Sequence, residues 1–225
     1  MFGLNQITPP AVEPVTLSQA KQFCVVDESF TADDALIAGF ITAARVQAEN
    51  YTRRAFFNQQ WRLSLDRFPI FWSRNTVKST TDNYYPYQYF FEGLTILIPK
   101  PHTISIDSVT YVDTTGTTQT LTSDYWFADY DSEPARMIPA RMIPALGTYW
   151  PTVSVYVPGS VKITFTCGSY GDGVTANTCP ANVQTAICLL ASHFYVNREG
   201  SVDIPNAFYR LLDSEKFEVF GYGYY

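Results

Sequence analysis

The sequence predicts an α+β protein: a small helical bundle with a β-rich insert between its second helix and its C-terminal helices. Apolar residues first recur at helical spacing over residues 32–53. At residues 61–65 the apolar period changes from 3.6 to 2, which is typical of a strand with one buried face. Helical spacing returns after Pro180, so the β-rich segment lies between two helical parts of the chain.

Two helices are expected before the insert. In the first, the Thr16 side chain can cap the helix while Gln19 acts as its reciprocal partner. In the second, Thr31 is expected at the N-cap and Asp34 at the third helical position, where its charge suits the helix dipole. The apolar face of this second helix is formed by Leu36, Ile37, Phe40, Ile41, Ala44, Ala48 and Tyr51.

The insert is expected to be built of short strands. In WRLSLDRF, the apolar Trp61, Leu63 and Leu65 face one side and the intervening polar residues face the other, as in a half-buried strand. Further strands are predicted where short apolar runs are bounded by turn residues, at 94–98, 106–113, 117–121, 125–130 and 161–167.

Two stretches of the insert show no clean period. Residues 70–93 contain NYYPYQYFFEG, which indicates an aromatic loop. Residues 135–145 read ARMIPARMIPA, a five-residue unit in tandem. Because five is odd, two copies in one strand would face opposite sides of a sheet, and each proline removes a hydrogen-bond donor. We expect a surface loop insertion here, with a repeated binding motif as the alternative.

The chain returns to helix near its end. Pro180 is expected at the first position of a long helix, and a short helix is expected over 205–212. The last residues, EKFEVFGYGYY, are aromatic and spaced by glycine, and they are too few to fold alone. The predicted organisation is a helical bundle from 1–58 and 178–213, a β-rich insert over 59–177, and a flexible aromatic tail over 214–225.

Composition and charge narrow the function classes. The net charge of −6, from 21 acidic and 15 basic side chains, argues against tight binding to nucleic-acid phosphates, which requires clustered Lys and Arg. No run of about 18 apolar residues is present, so we expect no membrane span. The start, MFGLNQITPP, is unlike a signal peptide. The protein is therefore expected to be made in the cytoplasm, with its four cysteines reduced.

No constellation of residues predicts catalysis, a cofactor or a metal ion. The two histidines, His102 and His193, are not accompanied by a recognisable nucleophile motif. The glycine-rich GSYGDG lacks the spacing of a phosphate-binding loop and is expected to be a turn. No cysteine pair has zinc-ligand spacing, and the acidic residues near position 30 do not match a calcium-binding loop.

Two adjacent arginines, Arg53 and Arg54, follow the second helix. Cations suit the negative C-terminal end of a helix, so a solvated helix end is the simplest interpretation. Pairing with acidic groups on a neighbouring chain and contact with nucleic acid remain alternatives.

Four segments stand in a fixed order along the chain: TPPAVEPVTLSQAK, DDALIAGFITAARVQAENYTRRAFFNQQWRLSLDRFP, IDSVTYVDTTGTTQTL and CPANVQTAICLLASHFYVNRE. They contain a P-V-T-L start, a helix ending E-N-Y-T-x-R and the pattern Q-x-W-x-L-x-L-D-x-F-P. In these segments and motifs the chain resembles the head–tail connector (adaptor) proteins of tailed bacteriophages and gene-transfer particles. The aromatic loop, the duplicated ARMIP and the tyrosine-rich tail depart from the family pattern.

The resemblance implies a structural virion protein without enzymatic activity. Such proteins assemble into rings, usually of twelve subunits, beneath the portal at the neck, where they join the capsid to tail or neck proteins and let DNA pass. Partner contacts are expected from Arg53, Arg54 and the aromatic tail, namely Phe217, Val219, Phe220, Tyr222, Tyr224 and Tyr225. The excess of acidic over basic side chains further suggests that carboxylates line the DNA channel, where their repulsion of the phosphates keeps the duplex from binding to the wall.

Two other function classes stay open at this point. The aromatic loop around residues 84–91 would suit a tail component that binds a carbohydrate or a receptor. A cell-wall hydrolase would require a convergent pair of carboxylates, which sequence alone does not identify.

Overall fold

The computed structural model describes residues 2–69, 94–130, 139–175, 177–198 and 203–217. These residues divide into two compact units. The strand unit comprises the described residues of 1–8, 60–134 and 138–167, and the helical unit comprises those of 9–59 and 168–225. The chain therefore contains both helices and antiparallel strands in separate units, which confirms the predicted α+β class.

The helical unit contains four α-helices. They are α1 (Leu17–Cys24), α2 (Asp34–Thr52), α3 (Ala181–Val196) and α4 (Asn206–Leu212). Its core lies where α2 packs along α3 and α4 closes the end, around Phe56, Phe57, Ile187, Phe208 and Leu212, none of which exposes any surface.

One of the predicted helix starts is confirmed, and others are wrong. The predicted capping box of α1 is present, because Thr16 Oγ1 accepts the Gln19 N–H and the Gln19 side chain accepts the Thr16 N–H. The second helix begins at Asp34 with Asp33 at the N-cap, so the prediction of Thr31 as the cap is wrong. The Thr31 carbonyl instead accepts the Asp34 N–H in a turn before the helix. Pro180 occupies the N-cap of α3 and not its first helical position.

The strand unit contains two sheets. The strands are β1 (Phe2–Thr8), β2 (Gln59–Leu65), β3 (Ile96–Leu97), β4 (Thr103–Val112), β5 (Thr118–Thr120), β6 (Trp126–Asp129), β7 (Arg141–Pro144) and β8 (Val161–Cys167). One sheet has the order β1-β2-β8-β4-β5, and the other has the order β3-β7-β6. In the larger sheet β4 pairs antiparallel with β8, and Val161, Ile163 and Phe165 of β8 are completely buried.

The N-terminal strand corrects the predicted organisation. Residues 1–8 were expected with the helices, but β1 pairs antiparallel with β2, placing Leu4 opposite Leu63 and Asn5 opposite Arg62. Residues 168–177, expected in the insert, lie in the helical unit where they are described. The local sequence gives little indication of either difference. In particular, β1 mixes apolar and polar residues, and its hydrogen-bond partners lie in β2.

The second copy of ARMIP also differs from its expected loop. Residues 141–144 form β7, the central strand of the smaller sheet, with Met142 paired to Ile96 and to Ala128. Met142 is completely buried, so this copy contributes to the core. Pro144 is the last residue of the strand, and the next N–H, that of Ala145, donates to the Tyr125 carbonyl at 3.0 Å. Most of the first copy and the aromatic loop at 70–93 lie outside the described residues.

Glycine is required where the chain returns to the helical unit. The backbone of residues 169–171 runs beside residues 55–58, and the Tyr170 N–H donates to the Phe56 carbonyl at 2.8 Å. A Cβ atom added to Gly168 would lie 2.7 Å from the Asn58 nitrogen and 2.8 Å from the Phe57 carbonyl carbon. These are backbone atoms, which cannot move aside as a flexible side chain would.

We predict that Gly168→Ala lowers the free energy of unfolding by about 1–3 kcal/mol, because the methyl group overpacks a close backbone contact. Gly39→Ala is the matched control, since a Cβ atom at this position in α2 meets nothing within 4 Å. It should raise the free energy of unfolding by about 0.5–1 kcal/mol through helix propensity. Urea unfolding of both variants measures the difference, and equal effects would contradict the close-contact account.

Candidate functional site

A buried hydrogen-bond network controls how α2 ends. Glu49 Oε1 accepts the Phe56 N–H at 2.8 Å and the Gln59 Nε2–H at 2.7 Å, and Glu49 Oε2 accepts from Arg45 Nη1 at 2.8 Å. Arg45 Nε donates in turn to Glu13 Oε2 at 2.7 Å. The Glu49 and Arg45 side chains are each no more than 5% exposed. One carboxylate therefore ties the last turns of α2 to the segment that follows it.

The two arginines after α2 have different surroundings. Arg53 is exposed and adopts the left-handed conformation with φ 60°, where it ends the helix. Arg54 is buried, donates from Nε to the Glu215 carbonyl at 2.8 Å, and lies 5.9 Å from the centre of the Phe217 ring. The interpretation of Arg54 as a solvated helix end is therefore wrong, and its expected contact with a partner stays a prediction. For Arg53, contact with a neighbouring chain stays a prediction.

The beginning of the expected flexible tail is part of the helical unit. The Phe217 N–H donates to the Thr52 carbonyl at 2.8 Å, and the Phe217 side chain is only 6% exposed. Two residues earlier, Glu215 accepts a hydrogen bond from the Tyr170 hydroxyl at 2.8 Å. Phe217 therefore anchors its own chain, which differs from its expected role as an outward anchor. The other tail residues predicted to contact partners lie outside the described residues: Val219, Phe220, Tyr222, Tyr224 and Tyr225.

Exposed apolar side chains cluster at one end of the helical unit, and sequence reasoning missed them. Phe23 is 45% exposed, Val25 is 92% exposed and Phe30 is 48% exposed. All three lie between the last turn of α1 and the start of α2. The stretch CVVDESF carried the signal, because its apolar and acidic residues follow neither a helical nor a strand period.

The strand unit has an open pocket of about 410 Å³. Its lining carries no charge and comprises Tyr111, Thr120, Leu121, Thr122, Tyr125, Tyr149 and Pro151. Such a lining offers apolar surface and hydroxyl groups, which suit binding more than acid–base chemistry.

The cysteines are poor nucleophiles in this environment. All four are buried, and burial raises the pKa of Cys179 to about 12 and that of Cys188 to about 11. Since the thiolate is the reactive form, these thiols are inert near neutral pH. Within the described ranges, no group of three or more His, Cys, Asp or Glu residues could hold a metal ion. The described helices include none with the length and apolar character needed to cross a membrane.

A protein-family model matches the segment of the chain that contains Glu49. Residues 14–82 match the family model described as phage gp6-like head-tail connector protein. This connector segment contains α1, α2 and β2, so the resemblance predicted from the ordered motifs is confirmed over it. No curated protein matches the chain.

The fold is similar to chains in solved structures of gene transfer agent (GTA) particles. A chain in the "Neck of empty GTA particle computed with C6 symmetry" aligns with a TM-score of 0.67 at 20% identity, covering 97% of this chain and 98% of that chain. A chain in the "Virion of native gene transfer agent (GTA) particle" aligns with a TM-score of 0.65 at 21% identity and covers 97% of both. A chain in the "Neck of native GTA particle computed with C12 symmetry" aligns with a TM-score of 0.57 at 20% identity, covering 97% and 98%.

At these identities the likeness establishes the fold, and it extends over nearly the whole chain. The connector segment and the remainder of the chain therefore share the architecture of these particle proteins.

We predict that Glu49→Gln lowers the free energy of unfolding by about 3–5 kcal/mol, because Arg45 loses a buried charge partner and the amide NH2 that replaces one carboxylate oxygen cannot accept a hydrogen bond. Glu28→Gln is the matched control, since Glu28 is exposed, and it should change stability by less than about 0.5 kcal/mol. Urea unfolding with circular dichroism measures both. A Glu49→Gln variant as stable as the control would contradict the network's role.

Proposed function

We propose that this chain is a head–tail connector, a structural virion protein that forms a ring beneath the portal and joins the capsid to the tail. DNA passes through the ring without sequence-specific binding. The family match over residues 14–82 is the observation that carries this proposal. It covers α1, α2 and the Arg45–Glu49 part of the buried network, all of which belong to the helical unit.

The likeness to particle proteins supports the same role. The similar chains belong to structures described as the neck or the virion of a GTA particle, and the alignment leaves only a few per cent of either chain uncovered. The necks were computed with C6 and C12 symmetry, which supports a closed ring and agrees with the expected twelve subunits. The portal above and the tail or neck proteins below are the proposed partners.

The chemistry of the chain suits assembly. The exposed apolar side chains between α1 and α2 offer surface for another protein, and the buried thiols are unreactive. The net charge of −6 fits passage of a DNA duplex that must not adhere, if carboxylates face the channel. The alternative of a carbohydrate- or receptor-binding tail component depends on residues 84–91, which lie outside the described residues, and no observation favours it.

The direct experiment mixes the purified chain with the portal protein of its own virus and examines the complexes by electron microscopy. We expect a closed ring of this chain against one face of the portal. A chain that stays monomeric and unattached in the presence of the portal would contradict the proposal.

We predict that deleting residues 218–225 preserves the melting temperature but prevents attachment to the portal, because the aromatic tail supplies anchors for that partner. Deleting residues 214–225 is the informative comparison. It also removes Glu215 and Phe217, whose contacts with Tyr170 and Thr52 hold the helical unit together, so it should lower the melting temperature. Sedimentation with the portal measures attachment, and normal attachment of the shorter deletion would exclude the tail from this role.

A further inference from the structure

We propose that neighbouring subunits of the ring meet head to tail through the two opposite ends of the helical unit. An acidic and apolar end, around Val25 and Glu28 of one copy, contacts a basic end, around Arg53 and Arg210 of the next. This inference rests on the proposed ring and names the surfaces that close it.

The first end is an exposed apolar surface held in a fixed shape. Phe23, Val25 and Phe30 are each at least 45% exposed, and they lie within eight residues of one another. Buried Lys21 fixes the loop that carries them, because its ammonium group donates to the carbonyls of Glu28 at 3.1 Å and Phe30 at 2.8 Å. A pre-ordered apolar surface loses little conformational entropy when a partner covers it.

Negative charge accompanies this apolar surface. Asp33 and Asp34 are used within the unit, since Asp33 accepts from the Tyr195 hydroxyl and Asp34 pairs with Lys21. Asp27 and Glu28 are exposed and belong to no ion pair within the described residues. Hydrogen bonds from the side chain and backbone of Ser29 hold the pKa of Asp27 below its ordinary value, so Asp27 remains charged at neutral pH.

The second end carries exposed positive charge. Arg53 ends α2, and Arg210 lies on α4, which packs against that end of α2 through Tyr51 and Tyr209, with ring centres 4.9 Å apart. Arg53 and Arg210 are both exposed, and neither forms an ion pair in the described part of the chain.

The acidic side chains of the second end are engaged within the unit. Asp213 accepts from the Tyr51 hydroxyl, and Glu215 accepts from the Tyr170 hydroxyl. The guanidinium groups of Arg53 and Arg210 therefore suit carboxylates on another molecule.

Backbone strain marks the same two positions. Val25 has φ 57° and Arg53 has φ 60°, and they are the non-glycine residues with left-handed backbone in the described helical unit. Glycine is the favoured residue at such helix ends, and for a β-branched residue this conformation is uncommon. Both side chains are exposed, so neither is retained for core packing. Strained non-glycine residues cluster at functional sites, which agrees with a contact role for both ends.

The arrangement fits a ring better than a two-fold dimer. The 19 residues of α2 separate the two ends by about 28 Å, so one molecule cannot join its own ends. Two different, complementary surfaces on one subunit produce a heterologous contact, which generates a closed ring when the rotation between subunits closes. Opposite charges on the two surfaces favour this register and disfavour contact between identical ends.

The test uses two charge-changed variants, each mixed with the portal protein. Asp27→Asn/Glu28→Lys makes the first end positive while retaining an acceptor for Ser29, and Arg53→Glu/Arg210→Glu makes the second end negative. Each variant alone faces like charges at every contact, so the concentration needed for half-maximal ring formation should rise at least about tenfold at low salt. Mixed in equal amounts, the two variants should form alternating rings again, because each altered end meets its complement and an even-numbered ring can alternate throughout.

Recovery of rings in the mixture, seen by electron microscopy and native mass measurement, is the expected result. Unchanged ring formation by each single variant would overturn the inference while leaving the proposed function intact. Loss of rings in both variants without recovery in the mixture, at unaltered melting temperatures, would also overturn it. Failure of the wild-type chain to form rings in the same samples would instead contradict the proposed function.

A third variant separates folding from assembly. Val25→Gly should raise the melting temperature by about 2–4 °C, because glycine relieves the left-handed strain. It should nevertheless weaken ring formation, because it removes an apolar side chain that is 92% exposed in the single chain. A variant that assembles as well as wild type would show that the Val25 side chain is not part of the contact.

Discussion

The buried carboxylate of Glu49 is the interaction on which the helical unit most depends. It accepts hydrogen bonds from the Phe56 backbone, from Gln59 and from Arg45, so it ties α2 to the segment that leaves the unit. A buried carboxylate without partners would lower the free energy of unfolding by several kcal/mol. Each of these three donors is therefore needed to keep the Glu49 charge buried. With this segment held, Phe56 and Phe57 enter the core, and the backbone of the returning residues 169–171 finds hydrogen-bond partners in residues 55–58.

Buried contacts order the backbone at both ends of the helical unit. Lys21 holds the loop between α1 and α2, and Arg54 with Phe217 holds the opposite end, so the backbone that carries the exposed groups is ordered before any partner binds. Subunits with such preformed surfaces can associate in a ring with little rearrangement. The buried thiols and the family match over residues 14–82 agree with a protein whose work is to hold neighbours in place.

Local patterns predicted the features that depend on local contacts. The T-x-x-Q spacing predicted the capping box at Thr16, and the period change after α2 predicted β2. Features that depend on distant partners were missed: β1 requires β2, and β7 requires β3 and β6. Arg54 and Phe217 were assigned to the surface because their partners, Glu215 and Thr52, lie about 160 residues away in sequence. Such long-range contacts produce no periodic pattern in the sequence. The prediction that Arg54 and Phe217 are exposed therefore rested only on the charge of one and the aromatic character of the other.

The central claim is that this chain joins heads to tails, and removing it from the assembling particle tests that claim most directly. Without this chain, DNA-containing heads and separate tails should accumulate, and electron microscopy should show both. Adding the purified chain should restore joined particles. Complete, tailed particles formed in its absence would contradict the account.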